Sequence, residues 1–332
     1  MRITRRSLLA AGTASTAVLF APALIRSARA ARRLTLASLL AADKPETKIW
    51  LRMAELVEER MPGAFSFNVV ENAALGGERE VAEGLRLGSI QGSLLTVSAL
   101  SAWVPESQIL DLPFLFQNAD HLRHVVEGEE GTRLRASFAD NGFIAPAFIN
   151  YGARHLLAKQ PLVRPEDLSG LRMRVIQSPL HVALWEAFGA VPAAIPITET
   201  YNALSTGVVG AMDLTKSAYA GFRLYEVVPV LVETSHIWAS GVVCFSASFW
   251  NSLSSEERHV LEEAARASAL HFNQLIEDDE RASLDAAVSA GAQVVQPLNG
   301  SEWEARGQAV WPLLADTVGG MERIDRIKNN RP

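Results

Sequence analysis

The sequence predicts an α/β protein of two lobes bridged by a long helix. Three observations carry this. Short apolar runs alternate with helical periods from residue 34 onward, the pattern of an open α/β sheet. A second strand–helix series starts at "FIAPAFIN" (143–150). Toward the C-terminal end, helical periodicity persists for about thirty residues, or on the order of 45 Å, longer than one small domain spans. The chain has 332 residues, 48% of them hydrophobic, enough to fill such cores.

The elements follow in order. "LTLASLL" (34–40) reads as a buried strand. Pro45 opens a helix whose inner face is Ile49, Trp50, Met53, Leu56 and Val57, and Pro62-Gly63 stops it. "FSFNVV" (65–70) is a strand, "EREVAEGLRLG" (78–88) a helix and "SLLTVSAL" (93–100) a strand. "DLPFLFQNAD" is a loop, and the helical stretch after it is charged and expected to be exposed. In the second series, "RMRVI", "VPAAIPI" and "VVGAMDL" are strands, and "TETYNALSTG" is a helix. So is 178–188, with Ser178 as cap, Pro179 at its first turn and Gly189 as stop. "GVVCFS" (241–246) reads as a buried strand, which makes Cys244 a core residue. Ser254 and Glu257 form a capping box that starts the long helix, which runs to Gly291. The tail "RIDRIKNNRP" is expected to fray. No internal repeat or low-complexity linker is present.

Residues 1–30 stand apart. "MRITRRSLLA" is basic, "AAGTASTAVLFAPALI" is modestly apolar, and "ARA" (28–30) offers a small-x-small cleavage site. This predicts an export signal, with Arg5-Arg6 favouring the twin-arginine type over an ordinary secretory one. Either route predicts a periplasmic protein. No cysteine near the cleavage site suggests a lipid anchor. The signal holds five arginines and no acid, so the remainder carries a formal charge of about −11. That argues against nucleic acid as a partner. A single cysteine excludes an internal disulfide.

Catalytic signatures are missing. There is no GxGxxG after a strand, no phosphate-binding GxxxxGK[ST], no HExxH and no GxSxG. No cofactor and no metal site is therefore expected. His121, His124, Asp120 and Glu127 have ligand-like spacing but fit a solvated helix face better. His236, in "TSHIW", reads as a turn residue or a pocket donor. The informative residues are arginines in apolar strands. In "DLSGLRMRVIQS" (167–178), Arg172 and Arg174 share one strand face, while Leu171, Met173 and Val175 share the other. Arg154 follows the strand "FINYG". Arginine is rarely buried unpaired, and its planar guanidinium matches a carboxylate. Two arginines converging on a cleft would make an anion site. Each pairing with a structural Asp or Glu is the alternative.

The order of several blocks resembles a known family. "LGGEREVAEGLRLGSI", "LPFLF", "PEDLSGLRMRV", "ETYNALSTGVV", "YEVVPVLVETSHIW" and "LSSEERHVLEEAA" together are similar to the DctP-like solute-binding proteins of tripartite ATP-independent periplasmic (TRAP) transporters. The likeness spans roughly 34–300. It implies a two-lobed periplasmic binding protein fold with a hinge and a spine helix. Lobe I would comprise 31–151 and 240–280, lobe II 152–239 and 281–322, and 323–332 would be a tail. It implies no catalysis. A small organic acid would be held in the cleft and passed to integral membrane TRAP permease subunits. The family motif "DLkGlKiRv", here "DLSGLRMRV", places the carboxylate-binding arginine at Arg174, with Arg172 at the lysine position. Arg154 occupies the place of a second family arginine.

There is one departure. The family's "GvVDGqEN" is here "GVVGAMDL", so Leu214 replaces an Asn that often contacts ligand, and Met212 and Asp213 replace a Gln–Glu pair that helps hold a cation in some relatives. Ile197 stands where many relatives carry an aromatic residue. The resemblance thus implies a ligand with one carboxylate and an apolar or aromatic body. Further wall candidates come from strand ends and helix starts, where open α/β sheets bind ligands. These are Asp43, Glu78, Thr96 and Ser98 from the first lobe, and Gln177, Ser217, Tyr219 and Trp238 from the second. A binding protein that feeds a receptor and an exported enzyme are the alternative functions.

Overall fold

The computed structural model describes residues 31–332, so the expected export signal lies outside the described residues. The first series is β1 (Arg32–Ala37), α1 (Pro45–Arg60), β2 (Phe65–Val70), α2 (Glu78–Leu87) and β3 (Gly92–Thr96). The one-turn α3 (Val97–Leu100), a 3-10 turn at Pro105–Asp111, α4 (Ala119–Glu127) and α5 (Glu129–Asp140) follow. After the long β4 (Phe143–Ala158) come β5 (Arg172–Val175), α6 (Pro179–Ala187), β6 (Val191–Ala194), α7 (Ile197–Ser205), β7 (Ala211–Thr215) and α8 (Lys216–Gly221). A second long strand, β8 (Val230–Ser246), leads to α9 (Ala247–Asn251) and α10 (Ser255–Ser289). The chain ends with β9 (Gln293–Val295), α11 (Gly300–Gln308), α12 (Trp311–Val318) and α13 (Met321–Asn329).

The described strands form one sheet, ordered β2-β1-β3-β8-β4-β7-β5-β6, with β9 added beside β8. Parallel pairs lie at both ends, and the antiparallel β8 and β4 join them. These two strands have 17 and 16 residues, long enough to belong to both halves of the fold. Their mutual register breaks between Asn150 and Ala153, where Gly152 has φ +100°. A β-carbon there would meet the Glu280 carboxylate at 2.2 Å, so glycine is needed for both space and backbone.

One face of the sheet carries two separate cores. Leu34, Trp50, Met53, Val243 and Phe272 fill the first half. Leu157, Leu204, Met212, Leu231 and Ala287 fill the second. The opposite face has one continuous core that includes Leu95, Phe143, Leu156, Met173 and Trp185. Helix α10 has 35 residues, about 52 Å at 1.5 Å per residue, and contributes Phe272 to one core and Ala287 to the other. Its Ser254–Glu257 capping box forms as the sequence predicts. Cys244 is buried, as expected.

Several expectations change. The strand at 93–100 stops at Thr96, whose hydroxyl accepts the Ala99 N–H and turns the chain into α3. Capping by Thr96 outweighs the β preference of Val97. Helix α4 is not wholly exposed: His121, Leu122, Val125 and Val126 are buried on one stripe. His121 Nε2 pairs with the Ile327 carbonyl at 2.9 Å rather than with a metal. Ser178 does not cap α6; its hydroxyl donates to Gln108 Oε1 at 3.1 Å. Pro179 and the positive-φ Gly189 do bound that helix.

The tail does not fray. Residues 321–329 form α13, with Ile324 and Ile327 buried. The buried Arg323 bonds Glu106 at 3.0 Å, Glu130, and the Val318 carbonyl at 2.8 Å. Apolar residues at i and i+3 are the signal that outweighed the charged composition. Removing one partner of such a pair strands the others. Arg323→Ala should therefore lower unfolding free energy by about 2–3 kcal/mol in urea titration, discounting for the partial exposure of Glu106. An unchanged midpoint would mean the tail is not docked.

Candidate functional site

Strands β1, β3, β5 and β7 all end near one cavity of about 60 Å³ between the two halves of the sheet. Its walls come from both halves. Leu39, Leu40 and Glu46 follow β1, and Glu78 and Thr96 stand at the starts of α2 and α3. Arg154 and Tyr151 come from the middle of β4, Arg174 and Ile176 from the end of β5. Leu214 and Thr215 end β7, Ser217 and Ala218 belong to α8, Phe222 follows it, and Phe272 and Ile276 face in from α10. Larger surface grooves exist, such as one of about 250 Å³ beside α4 and α10; there Arg123 and Arg266 pair with neighbouring acids and Arg135 bonds the Thr132 hydroxyl.

The electrostatics are uneven. Arg154 and Arg174 are 4% and 3% exposed. Arg154 donates from Nε to Asp213 Oδ2 at 2.5 Å and from Nη2 to the Asp213 carbonyl at 2.8 Å. Asp213 is fully buried, and His236 Nε2 lies 3.2 Å from the same carboxylate oxygen. Burial works to raise the Asp213 pKa, but Arg154 and the His236 hydrogen bond outweigh it and hold the group well below the usual range. Arg174 has no such partner. Its Nε donates to the Ile195 carbonyl at 2.8 Å. Among the described residues, its terminal nitrogens make no hydrogen bond. Burial and the nearby Arg154 push the Arg174 pKa down to about 10, Asp213 and Glu78 oppose this only at a distance, and the guanidinium lacks a direct counter-charge.

Two acids complete the polar part. Glu46 Oε1 accepts the Leu39 N–H at 2.6 Å, and Glu78 Oε1 accepts the Thr96 N–H at 2.7 Å. Burial raises Glu46 to about 7; the Leu39 N–H opposes this and Glu78 adds to it. Burial also raises Glu78, although its side chain keeps some access to solvent through a small neighbouring cleft.

The structure gathers most of the sequence candidates. Arg154, Arg174, Glu78, Thr96, Ile197, Leu214 and Ser217 line the cavity. Gln177 lines the adjoining cleft with Glu78 and Arg174. Ser217 is partly committed, donating to Asp279 Oδ2 at 2.5 Å. Four candidates are corrected. Trp238 turns to the opposite core because strand side chains alternate, and Ala239 takes the cavity side. Tyr219 packs into the second core and donates to the Val228 carbonyl at 2.8 Å, while Ala218 and Phe222 face the cavity. Ser98 points to Asp111 and His181. Asp43 is exposed on the turn before α1. His236 lies behind Arg154, bonded to Thr234 and Asp213, and does not line the cavity. Arg172 is exposed at the start of β5.

Glu46, Phe272 and Ile276 were not among the sequence candidates. Glu46 stands three and four residues before Ile49 and Trp50, so the helix pattern does turn it inward. An acid on an inward stripe was the available signal. Among the described residues, no group of three or more His, Cys, Asp and Glu side chains is placed to hold a metal.

Comparison with known proteins now has a geometry to meet. The family model described as DctP, bacterial extracellular solute-binding protein, family 7, matches residues 36–316. A C4-dicarboxylate-binding periplasmic protein DctP of Shewanella loihica is 27% identical over 284 residues, 84% of each chain. The crystal structure of a TRAP periplasmic solute-binding protein from Bradyrhizobium sp., in complex with galacturonate, is 31% identical with TM-score 0.87, covering 90% of this chain and 100% of that one. A TRAP periplasmic solute-binding protein from Shewanella oneidensis with bound succinate is 26% identical with TM-score 0.87, covering 91% and 100%.

The Glu46 environment has a consequence for stability. A carboxyl with its folded pKa above its unfolded value contributes stability that is full below pH about 4.5 and lost as pH rises through about 7. Glu46→Gln removes that dependence. Relative to wild type, the variant should gain up to about 3 kcal/mol between pH 4 and pH 8 in denaturant unfolding. A difference constant over that range would contradict the assignment.

Proposed function

The chain belongs to the DctP family of bacterial extracellular solute-binding proteins, and we propose that it captures an organic acid with one carboxylate and an apolar or aromatic body. It is a periplasmic solute-binding protein of the TRAP type. The observation that carries the ligand reading is the Arg174 guanidinium, buried in the cavity with its terminal nitrogens making no protein hydrogen bond. A bound carboxylate supplies the missing counter-charge through a two-pronged, charge-assisted contact. Arg154 is already balanced by Asp213 and contributes position and a weaker pull. Leu39, Leu40, Ile176, Leu214, Phe222 and Phe272 supply apolar walls where a sugar acid would need donors and acceptors.

Lobe I is proposed to comprise 31–151 and 240–280, and lobe II 152–239 and 281–322. The separate cores on one sheet face and the register break at Gly152 support a hinge in β4 and β8. Ligand that touches both lobes favours the closed state. The closed protein then hands its cargo to membrane TRAP permease subunits. Capture is the whole role, and no catalytic step is part of it.

The reading predicts a trade between stability and binding. Arg174→Met should abolish detectable carboxylate binding, a loss of at least a hundredfold or about 2.8 kcal/mol. The same change should stabilise the ligand-free protein by about 1–3 kcal/mol, because a buried uncompensated cation is removed. A thermal-shift screen of organic acids, followed by calorimetry on wild type and variant, measures both. Retained affinity in the variant, or tighter binding of galacturonate than of apolar monocarboxylates, would overturn the proposal.

A further inference from the structure

Glu46 and Glu78 are not needed to hold a simple carboxylate. They stand in the same cavity as Arg174, and their negative charge would oppose an anion. Glu46 is 6% exposed. Its described partners, the Leu39 N–H and the Ser38 hydroxyl, both meet Oε1, so Oε2 has no donor. The partners of Glu78 are all on Thr96. Both acids line the same cavity, Glu78 raises the cost of ionising Glu46, and Tyr151 senses both. Buried carboxyls in that state call for a donor-rich or cationic group.

Charge balance narrows the choice. Asp213 cancels Arg154. A plain carboxylate answers Arg174 but sets a further anion beside the two glutamates, whereas a zwitterion also brings them a cation. An ammonium offers three donors, enough to serve both glutamates together, and a single hydroxyl offers one. We propose that the ligand is a zwitterion with an apolar side chain, such as a hydrophobic amino acid, whose carboxylate meets Arg174 and whose ammonium meets Glu46 and Glu78. This rests on the carboxylate reading above and adds the second pole.

Binding is then linked to protons with a definite sign. The charged and titratable groups around Glu46 are Glu78 on α2, Tyr151 and Arg154 on β4, and Arg174 on β5. On α10, Asp279 is held by Lys44 and Ser217, and Glu280 by the Lys216 N–H. An ammonium beside Glu46 lowers its pKa, so a zwitterion releases protons at pH 6 and binds more tightly as pH rises toward 7.5. An acid without the amine takes protons up and binds less tightly over the same range.

The test uses matched pairs: L-leucine with 4-methylpentanoate, and L-phenylalanine with 3-phenylpropanoate. Affinities are measured by calorimetry on the mature protein at pH 6 and 7.5, in two buffers of different ionisation enthalpy. At least one amino acid is expected to bind tenfold or more tighter than its deaminated partner, with proton release. Glu46→Gln and Glu78→Gln should each weaken the amino acid at least tenfold and change the deaminated acid less than threefold. Equal or tighter binding of the deaminated acid, with proton uptake, overturns the zwitterion inference and leaves the carboxylate reading standing. Binding of either series that survives Arg174→Met overturns the carboxylate reading instead. Binding of neither series by wild type overturns the inference.

Discussion

The Arg154–Asp213 pair governs the chemistry of the cavity. Both groups are buried, and neither would be tolerated there alone. Asp213 meets Arg154 through side chain and backbone, and His236 and Thr234 stand behind it. Asp213 Oδ1 is buried and unbonded, yet no hydrogen bond joins Asp213 to Arg174, which feels it only at a distance. The second guanidinium keeps only a backbone carbonyl and remains a cation in search of an anion. A protein selected for stability alone would have paired or replaced it. One satisfied arginine beside one unsatisfied arginine is the physical form of a carboxylate receptor.

The scaffold puts this asymmetry at a place that can open. Two parallel strand sets, β1 with β3 and β5 with β7, run in opposite directions and both end at the cavity, and β4 and β8 run through both halves. Helix α10 spans both cores on one face and lends Phe272 and Ile276 to the wall. The wall therefore draws on elements that share few contacts except through these long pieces. Ligand contacts count twice in such a design, as affinity and as closure. The apolar lining reduces competition from water, which strengthens every charge-assisted contact inside.

Legibility in the sequence varied with the kind of information needed. Arg174 was legible because a charged residue in a strand of Met173 and Val175 demands an explanation. Leu214 and Ile197 were legible as departures from the resemblance, and both line the cavity. The errors have local causes. Trp238 and Tyr219 were placed by neighbourhood, yet one residue along a strand or helix reverses the face. Ser98 is expected near the end of a strand over 93–100, but Thr96 turns the chain into a helix first. An acid in a first helical turn also suits the helix dipole, so Glu46 carries no distinctive signal in the sequence.

By itself the sequence determined the α/β class, the long capped helix, the strand carrying Arg174 and the family to which the chain belongs. These rest on periodicity, caps and blocks of residues that are local along the chain. Only the tertiary structure decided that Asp213 belongs to Arg154, that Arg174 is left free, and that Glu46 shares its cavity. Those facts depend on which side chains meet across 59 residues in one case and across separate strands and helices in the others. Periodicity says which way a residue faces; only packing says what it faces.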